Sequence, residues 1–342
     1  MTDALLSVRD LRKLFPAGKR SFWRSSDDHV HAVDDVSFDL AAGEALALVG
    51  ESGCGKSTLA LTLLGLETAT AGSIRFEGQE LVGAPASRWK ETRRHIQMIF
   101  QDPYESLNPL MTVGEAVAEP LHVHKLAINR EERRRRIVAA LEDAGLKPAE
   151  HFLARFPHEL SGGQRQRVAI AAALVLEPRL LVADEPVSML DVSIRAEILN
   201  LLADLKVRRS IAVLFITHDL GTVSAVADRI AVMYLGRIVE TGSVQEVMTA
   251  PQHPYTQALL SVVPAPNPRL RRQHIILQGE TPDPVNLPSG CRFHPRCPVA
   301  VEECQQIDPS LLKIAGLQAA ACIRLGKTIP TSDLQDDIAP IE

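Results

Sequence analysis

The sequence is poor in aromatic side chains and has no long uninterrupted hydrophobic run. Phenylalanine, tyrosine and tryptophan make up 4% of the 342 residues, so the core must be built mainly from aliphatic side chains. The longest wholly apolar stretch, residues 168–176, has about half the length that a membrane-spanning helix needs. The first residues lack the basic-then-apolar pattern of a secretory signal. We therefore expect a cytoplasmic globular protein that reaches a membrane only through partners.

An excess of positive charge is also missing. The formal net charge is −5, which argues against general nucleic-acid binding, and we expect no nucleic-acid partner. Four consecutive arginines at residues 133–136 follow two glutamates and precede an apolar helical stretch. We interpret this run as the solvated face of a helix, and a nucleic-acid contact is the alternative.

Residues 50–57 match the pattern G-x-x-x-x-G-K-[ST] of a phosphate-binding loop, and we call them the phosphate loop. An apolar run at residues 45–49 predicts a buried strand before the loop, and residues 58–66 predict a helix after it. Backbone N–H groups and the helix N-terminus would surround the phosphates, Lys56 would reach the β- and γ-phosphates, and Ser57 would bind Mg²⁺. The predicted nucleotide-binding residues here are Gly50, Glu51, Ser52, Gly53, Cys54, Gly55, Lys56, Ser57 and Thr58.

Two carboxylates follow a second apolar run, residues 180–183. Asp184 suits an outer-sphere role on Mg²⁺, and Glu185 would lie nearer the γ-phosphate, where it could polarise a water molecule. Acidic residues also begin many ordinary loops after strands. Because these carboxylates come after a phosphate loop in the same chain, we favour the catalytic interpretation over an ordinary loop.

The segment Leu-Ser-Gly-Gly-Gln at residues 160–164, the signature segment, predicts a second anion-binding helix N-terminus. In the simpler interpretation, Ser161 only caps that helix. One phosphate site cannot be built from two such distant loops of one chain, but two chains facing each other can build it. The residues that would act on the opposite nucleotide are Ser161, Gly162, Gly163 and Gln164.

The hydrophobic pattern predicts alternating strands and helices, hence an α/β fold. The predicted strands are residues 5–8, 45–49, 96–100, 180–183 and 212–217, with a hairpin at 229–241. The predicted helices are residues 58–66, 137–144, 163–176, 193–205 and 220–227. We divide the chain into a nucleotide-binding domain (1–250), a C-terminal extension (251–327) and a disordered tail (328–342). The nucleotide-binding domain contains a helical subdomain at about 102–170. The extension follows a composition shift and includes a proline-rich linker at 263–268.

The phosphate loop, the signature segment and residues 180–185, in this order and spacing, resemble the ATP-binding subunit of an ABC transporter. The resemblance covers roughly residues 5–325. It implies a P-loop NTPase fold, with a RecA-like core, an antiparallel β subdomain and a helical insertion, plus a small C-terminal extension domain. It also implies ATP and Mg²⁺ as ligands and transport-coupled ATP hydrolysis as the activity.

Further residues match the family's motifs one by one. Gln101 matches the glutamine loop and would reach Mg²⁺ or the attacking water. Asp191 matches the loop that crosses the dimer interface, where Met189 stands in place of the more usual alanine. The resemblance then implies catalytic roles for Glu185, His218, Gln101 and Lys56, and Mg²⁺ ligation by Ser57, Gln101 and Asp184.

Two more positions complete the implied nucleotide site. His218 matches the switch histidine that contacts the γ-phosphate. Phe15 lies where an aromatic ring stacks on adenine, although Phe22 and Trp23 are close to it in the sequence.

Residues 102–109, 253–260 and 290–298 narrow the resemblance to oligopeptide/dipeptide/nickel importers. This implies two transmembrane permease subunits, a second and different ATP-binding subunit, an extracytoplasmic solute-binding protein acting indirectly, and a peripheral position at the cytoplasmic face of the inner membrane. We expect peptide import. The alternatives are a nickel or other small-solute importer and a soluble, non-transport ATPase of the same superfamily.

Four of the five cysteines lie in the last quarter of the chain: Cys291, Cys297, Cys304 and Cys322. In cytoplasm such a group favours a metal site over disulfides. The importer resemblance implies that these cysteines hold a [4Fe–4S] cluster. Their spacing lacks the C-x-x-C pairs usual for structural zinc, but zinc and free thiols remain the alternatives.

Overall fold

The computed structural model describes residues 4–17, 28–126, 129–263 and 274–325, without the side chains of Tyr104 and Glu105. Phe22, Trp23, linker residues 264–268 and the predicted tail at 328–342 lie outside the described residues. The strands are β1 Leu6–Pro16, β2 His29–Leu40, β3 Ala45–Val49, β4 Ala71–Phe76, β5 Gln79–Glu80, β6 Ile96–Ile99, β7 Leu180–Asp184, β8 Ala212–Thr217, β9 Arg229–Tyr234, β10 Arg237–Ser243, β11 Leu312–Ala315 and β12 Gln318–Ala320.

Helices connect these strands and cover the sheets. They are α1 Lys56–Leu63, α2 Ala86–Thr92, α3 Pro103–Ser106, α4 Val113–Val123, α5 Arg130–Asp143, α6 Gly162–Leu174, α7 Val192–Arg209, α8 Leu220–Val223, α9 Val244–Thr249 and α10 Pro254–Ser261. Short 3₁₀ turns span Ala149–His151, Pro157–Glu159, His294–Arg296 and Glu302–Gln305. None of the helices in the described part of the chain combines the length and the apolar character needed to span a membrane.

The main sheet has eight strands in the order β11-β12-β10-β9-β3-β8-β7-β6. Strands β6, β7, β8, β3 and β9 run parallel. The three central strands β3, β7 and β8 are buried along their whole length, which explains why they appear in the sequence as uninterrupted apolar runs. Their carboxyl ends meet at one edge of the sheet, where ligands bind in folds of this kind.

A second, antiparallel sheet has the strand order β2-β1-β4-β5. Its buried face, which includes Leu6, Val8 and Ile74, packs with Leu46 of β3 and Leu59 of α1 in one hydrophobic cluster. The antiparallel β subdomain implied by the family resemblance is therefore confirmed.

The helical segment contains α3 to α6. Helix α4 begins at a capping box between Thr112 and Glu115. On α5, Glu132 forms ion pairs with Arg135 and Arg136, while Arg134 is exposed. The four-arginine run thus lies on a helix that faces solvent and carries its own counter-charge.

The described part of the C-terminal extension is fastened to the main sheet. Strand β12 pairs with β10, and β11 pairs with β12, so the extension supplies the last two strands of this sheet. Buried Glu240 of β10 accepts hydrogen bonds from the backbone N–H groups of Gln252 and His253 and from the Gln318 amide, at 2.8–2.9 Å. The sequence patterns did not predict this attachment.

Candidate nucleotide site

The phosphate loop turns sharply between β3 and α1, and its glycines make the turn possible. Gly53 and Gly55 have positive φ angles of 78° and 107°, a region that side chains with a Cβ rarely adopt. A Cβ on Gly55 would also collide with the carbonyl oxygen of Ala32. The loop is therefore packed directly against the antiparallel subdomain.

Lys56 folds back over the loop. Its Nζ donates hydrogen bonds of 2.8 Å to the carbonyl oxygens of Gly50 and Glu51, and its side chain is buried. Cys54 lies below the loop with its Sγ 3.8 Å from Lys56 Nζ, and burial raises the pKa of this thiol. Cys54 therefore belongs to the loop through its backbone, while its side chain fills the core beneath.

Asp184 ends β7 with a buried carboxylate. The pKa of Asp184 is raised, mainly because the carboxyl group is buried and also because Glu185 is close. A hydrogen bond from the Ser57 hydroxyl and the charge of Lys56 oppose this rise. Within the described residues, Asp184 Oδ1 has no hydrogen-bond partner. Because buried polar atoms are normally paired, this oxygen beside Ser57 fits a cation ligand sphere.

Glu185 lies between two of the other predicted catalytic side chains, Gln101 and His218. Gln101 donates a 3.1 Å hydrogen bond to Glu185 Oε2, and His218 Nδ1 lies 3.0 Å from Oε1. The backbone of Glu185 has a positive φ of 46°, and its N–H donates to the Ile216 carbonyl at 2.9 Å. The loops after β6, β7 and β8 thus bring Gln101, Glu185 and His218 together.

One open cavity joins these groups. It is lined by Phe15, Val30, Ala32, Gly50, Glu51, Ser52, Gly53, Gly55, Lys56, Ser57, Thr58, Gln101, Glu185, His218, Leu259 and Pro284. Phe15 stands at one side with Lys13 Nζ 4.4 Å from its ring centroid. Leu259 and Pro284 come from the C-terminal extension and were not predicted.

The signature segment lies elsewhere on the chain's surface. Ser161 caps α6 and forms a capping box with Gln164, so the capping interpretation of Ser161 holds for the single chain. Gly163 is buried, and a Cβ there would press on Ile194 of α7. Among the described residues that line the nucleotide cavity, none belongs to the signature segment.

The loop around Asp191 exposes apolar side chains to solvent. Met189 is 63% exposed and Val192 is 81% exposed. Asp191 itself is exposed at the start of α7.

The C-terminal extension contacts the phosphate loop at Glu51. Arg296 forms an ion pair of 2.7 Å with the Glu51 carboxylate, and the Thr281 hydroxyl donates to the same carboxylate at 3.0 Å. The Tyr255 hydroxyl accepts a 2.9 Å hydrogen bond from the Glu51 N–H. Tyr255 and Arg296 belong to the segments 253–260 and 290–298 noted in the sequence, but nothing local links these segments to a loop more than 200 residues away.

The four C-terminal cysteines line one small cavity, together with His253 and Phe293. Each is a free thiol. Burial raises the pKa of Cys291 to about 11 and that of Cys297 to about 12, and it also raises the pKa of Cys322. Over the described ranges, no group of three or more histidine, cysteine, aspartate or glutamate side chains is arranged to hold a metal ion.

Comparison with known proteins adds independent findings. Residues 33–188 match the family model described as "ABC transporter". Residues 239–304 match the model described as "Oligopeptide/dipeptide transporter, C-terminal region".

Similar proteins extend over nearly the whole chain. Oligopeptide transport ATP-binding protein OppF of Salmonella typhimurium is 48% identical, covering 94% of this chain and 96% of its own. Di/tripeptide transport ATP-binding protein DppF of Pseudomonas aeruginosa is 46% identical, covering 93% and 97%.

Solved structures agree with this. The ATP-binding cassette MJ0796, bound to ADP and Pi in a post-hydrolysis dimer, is 29% identical with a TM-score of 0.62, covering 70% of this chain and 98% of its own. CbiO1 of Clostridium perfringens is 30% identical with a TM-score of 0.63, covering 72% and 92%. Together with the matched family models, these similarities lead to one conclusion: this chain belongs to the family of ABC transporter ATP-binding subunits.

Proposed function

We propose that this chain hydrolyses ATP to power the import of peptides through two transmembrane permease subunits. The names of two relatives, an oligopeptide and a di/tripeptide transport ATP-binding protein, support the peptide assignment. In this assembly the chain would lie at the cytoplasmic face of the membrane, next to a second, different ATP-binding subunit. An extracytoplasmic solute-binding protein would deliver the peptide to the permeases.

One observation carries the catalytic part of the proposal. Glu185 stands at the nucleotide cavity with one carboxylate oxygen near Gln101 and the other near His218. A carboxylate held at both oxygens is oriented to accept a proton from a water molecule that attacks the γ-phosphate. Lys56 would leave the loop carbonyls and bind the β- and γ-phosphates, where its charge offsets the negative charge of the transition state.

Three residues are proposed to hold the magnesium ion. Ser57 would offer its hydroxyl, Gln101 its amide oxygen, and Asp184 its unpaired buried oxygen, the last of them through a water molecule. The ion would neutralise phosphate charge and orient the γ-phosphate for in-line attack.

The signature segment is proposed to act on the nucleotide of the partner ATP-binding subunit. Ser161 is exposed, and the described residues that line this chain's own nucleotide cavity do not include Ser161 or the first residues of α6. A second subunit facing this one would place them against its γ-phosphate, as the N-terminus of a helix favours an anion. Exposed Met189 and Asp191 would then lie in the subunit interface.

The four extension cysteines are proposed to bind a [4Fe–4S] cluster. Four free thiols around one cavity supply the donor set that such a cluster requires. A single zinc ion needs its sulfurs at about 2.3 Å, and the described side chains offer no group arranged around one ion. A [4Fe–4S] cluster takes four thiolates, which is the number of cysteines that line this cavity. Its function would be structural, as a staple for an extension with few regular elements.

The domain division is proposed as residues 1–250 for nucleotide binding, with the helical subdomain at about 102–170, and residues 251–327 for the extension. The pairing of β12 with β10 supports an extension that is docked on the main sheet rather than tethered to it.

The function is tested with the chain in its membrane complex. Glu185→Gln keeps the size of the side chain but removes its basicity, so ATP binding should persist while ATP turnover and peptide uptake into vesicles both stop. Continued turnover would refute the catalytic role of Glu185. The peptide assignment alone would be refuted by a wild-type complex that hydrolyses ATP normally without peptide and takes up nickel, but takes up no di- or oligopeptide.

The cluster is tested separately by iron and sulfide analysis and by visible absorption of anaerobically purified protein. We expect about four irons and four sulfides per chain, and loss of both in Cys297→Ser. Stoichiometric zinc in place of iron, or metal-free protein, would contradict the proposal.

A further inference from the structure

We propose that Arg296 of the C-terminal extension is a positioning residue for the phosphate loop, so that nucleotide affinity depends on the extension. This inference rests on the proposed function only in taking residues 50–57 as the phosphate-binding element. It assigns a role in nucleotide binding to a part of the chain outside the ATP-binding domain.

The contact between Arg296 and Glu51 has two points. Arg296 Nη1 donates to Glu51 Oε2 at 2.7 Å, and Nη2 donates to Oε1 at 3.2 Å. Two parallel bonds between a guanidinium and a carboxylate fix orientation as well as distance. The Arg296 side chain is 9% exposed, so solvent screens this pair less than a surface pair. The hydrogen bond that Arg296 donates to Glu51 raises the pKa of Arg296.

Glu51, whose side chain is restrained by Arg296, also contacts the phosphate-binding residue Lys56. The carbonyl oxygen of Glu51 accepts a 2.8 Å hydrogen bond from Lys56 Nζ. On its other side, the N–H of Glu51 donates to the Tyr255 hydroxyl at 2.9 Å. The peptide groups around Glu51 are therefore held by the extension on one side and hold the lysine on the other, which preorganises the loop for phosphate.

Arg296 has a rigid support of its own. It ends the 3₁₀ turn His294–Arg296, which follows the fully buried ring of Phe293. The Phe293 ring packs against Tyr234 and Tyr255, with centroid distances of 5.2 and 5.4 Å. Because Tyr255 also binds the Glu51 N–H, the turn and the phosphate loop share one packed aromatic cluster.

The extension reaches the same cavity at a second point. Pro284 lines the nucleotide cavity, and its carbonyl oxygen accepts a 3.0 Å hydrogen bond from the His31 N–H of β2. Thr281, three residues earlier, donates to Glu51. Residues 281–284 thus bridge the phosphate loop and the antiparallel subdomain, and they form part of the cavity wall.

The test compares two arginines in the purified, full-length membrane complex. Arg292 is the matched control, because it is also 9% exposed and also lies next to a cysteine in the sequence. It pairs with Asp34 and donates to the Leu235 carbonyl at 2.6 Å, and neither of these hydrogen bonds between described residues reaches the phosphate loop. The variants are Arg296→Gln and Arg292→Gln, and the probe is a fluorescent ATP analogue titrated without peptide.

Arg296→Gln should weaken binding of the analogue about tenfold, a change equivalent to roughly 1.4 kcal/mol. It should raise KM for ATP by a similar factor, while kcat at saturating ATP stays within about twofold, since the residue acts on the ground-state site. Arg292→Gln should leave nucleotide affinity unchanged. An unchanged affinity in Arg296→Gln, or an equal loss in both variants, would overturn the inference.

Two further measurements extend the test, and the first of them serves if Arg296→Gln folds poorly. Arg296→Lys keeps the charge but loses the two-point contact, so nucleotide affinity should lie between wild type and the glutamine variant. In a Glu51→Gln background, adding Arg296→Gln should change nucleotide affinity little further, because either substitution alone already breaks the same contact. Full additivity would show that Arg296 acts independently of Glu51. Since the assay contains no transported solute, a failed peptide assignment would not alter its outcome.

Discussion

His218 Nδ1 and Glu185 Oε1 lie 3.0 Å apart, and this contact joins the loops that follow two neighbouring strands, β7 and β8. Glu185 also accepts a hydrogen bond from Gln101, which follows β6 on the other side. Three adjacent parallel strands therefore bring three side chains together, and two of them contact the carboxylate of the third. The position of each depends on the register of the sheet, which the buried apolar strands fix.

The His218–Glu185 contact predicts a catalytic defect without a binding defect. In His218→Ala, Glu185 loses one of its two orienting partners and the γ-phosphate loses a donor. We expect kcat for ATP hydrolysis to fall by about 100-fold or more, with nucleotide affinity within a few-fold of wild type. Steady-state hydrolysis and equilibrium binding measure the two effects.

The control for this prediction is His151→Ala, at an exposed 3₁₀ turn far from β8 in the chain. It should hydrolyse ATP at the wild-type rate. A His218→Ala protein with normal kcat would show that the observed contact has no catalytic role.

The unpaired buried oxygen of Asp184 predicts a change in magnesium dependence. Asp184→Asn keeps the shape of the side chain but removes its charge, so the half-saturating Mg²⁺ concentration for hydrolysis should rise about tenfold or more. A Mg²⁺ titration at fixed ATP measures this. Asp204→Asn, an exposed position on α7, should titrate like wild type. Identical titrations for both variants would argue against Asp184 as part of the Mg²⁺ site.

Ser161 has a capping role in the single chain, and this can be separated from its proposed role across the subunit interface. Ser161→Asp keeps a good N-cap residue, so the melting temperature should stay near that of wild type. Its negative charge would repel the γ-phosphate of the opposite nucleotide, and ATP-dependent association of the ATP-binding subunits should be lost.

Ser161→Ala is the complementary variant. It removes the cap and should cost about 1 kcal/mol of stability, yet it should impair association less than aspartate does. Light scattering with ATP, in the Glu185→Gln background, distinguishes the two. Normal association of Ser161→Asp would mean that no phosphate faces this residue.

Buried His253 predicts a specific acid sensitivity. Its Nδ1 accepts a 3.1 Å hydrogen bond from the Tyr255 N–H, and burial lowers its pKa from 6.5 to about 3. Between these two values the unfolded chain binds a proton that the folded chain does not. The contribution of neutral His253 to the free energy of unfolding is therefore fully present above about pH 6.5. It is lost as the pH falls towards 3, by up to about 1.4 kcal/mol per pH unit.

His253→Asn can still cap α10 but cannot take up this proton. Its free energy of unfolding should fall less steeply than that of wild type between pH 6.5 and pH 4, although it will be lower at neutral pH because the ring packing on Phe293 is lost. Parallel slopes for the two proteins would contradict the assignment. Denaturant titrations at several pH values provide the comparison.

Much of the fold follows from local patterns. The predicted strand at residues 212–217 coincides with β8, and the predicted hairpin corresponds to β9 and β10. The predicted strand at residues 5–8 was much shorter than β1, which extends to Pro16, and β2 was not predicted individually. Buried and more exposed residues alternate along these strands, and the pairing between the strands is irregular. Their hydrophobic sequence pattern is therefore weaker than that of a fully buried strand.

The sequence by itself determined the phosphate loop, the acidic end of β7 and the cap of α6, because each depends on residues a few positions apart. Only the tertiary structure decided which distant groups meet there. Arg296 and Glu51 are separated by 245 residues, and Tyr255 and Glu51 by 204. Such contacts have no local signature, since they arise when β12 pairs with β10 and Phe293 is buried between two tyrosines. Burial of apolar surface, rather than any motif, brings the extension to the nucleotide site.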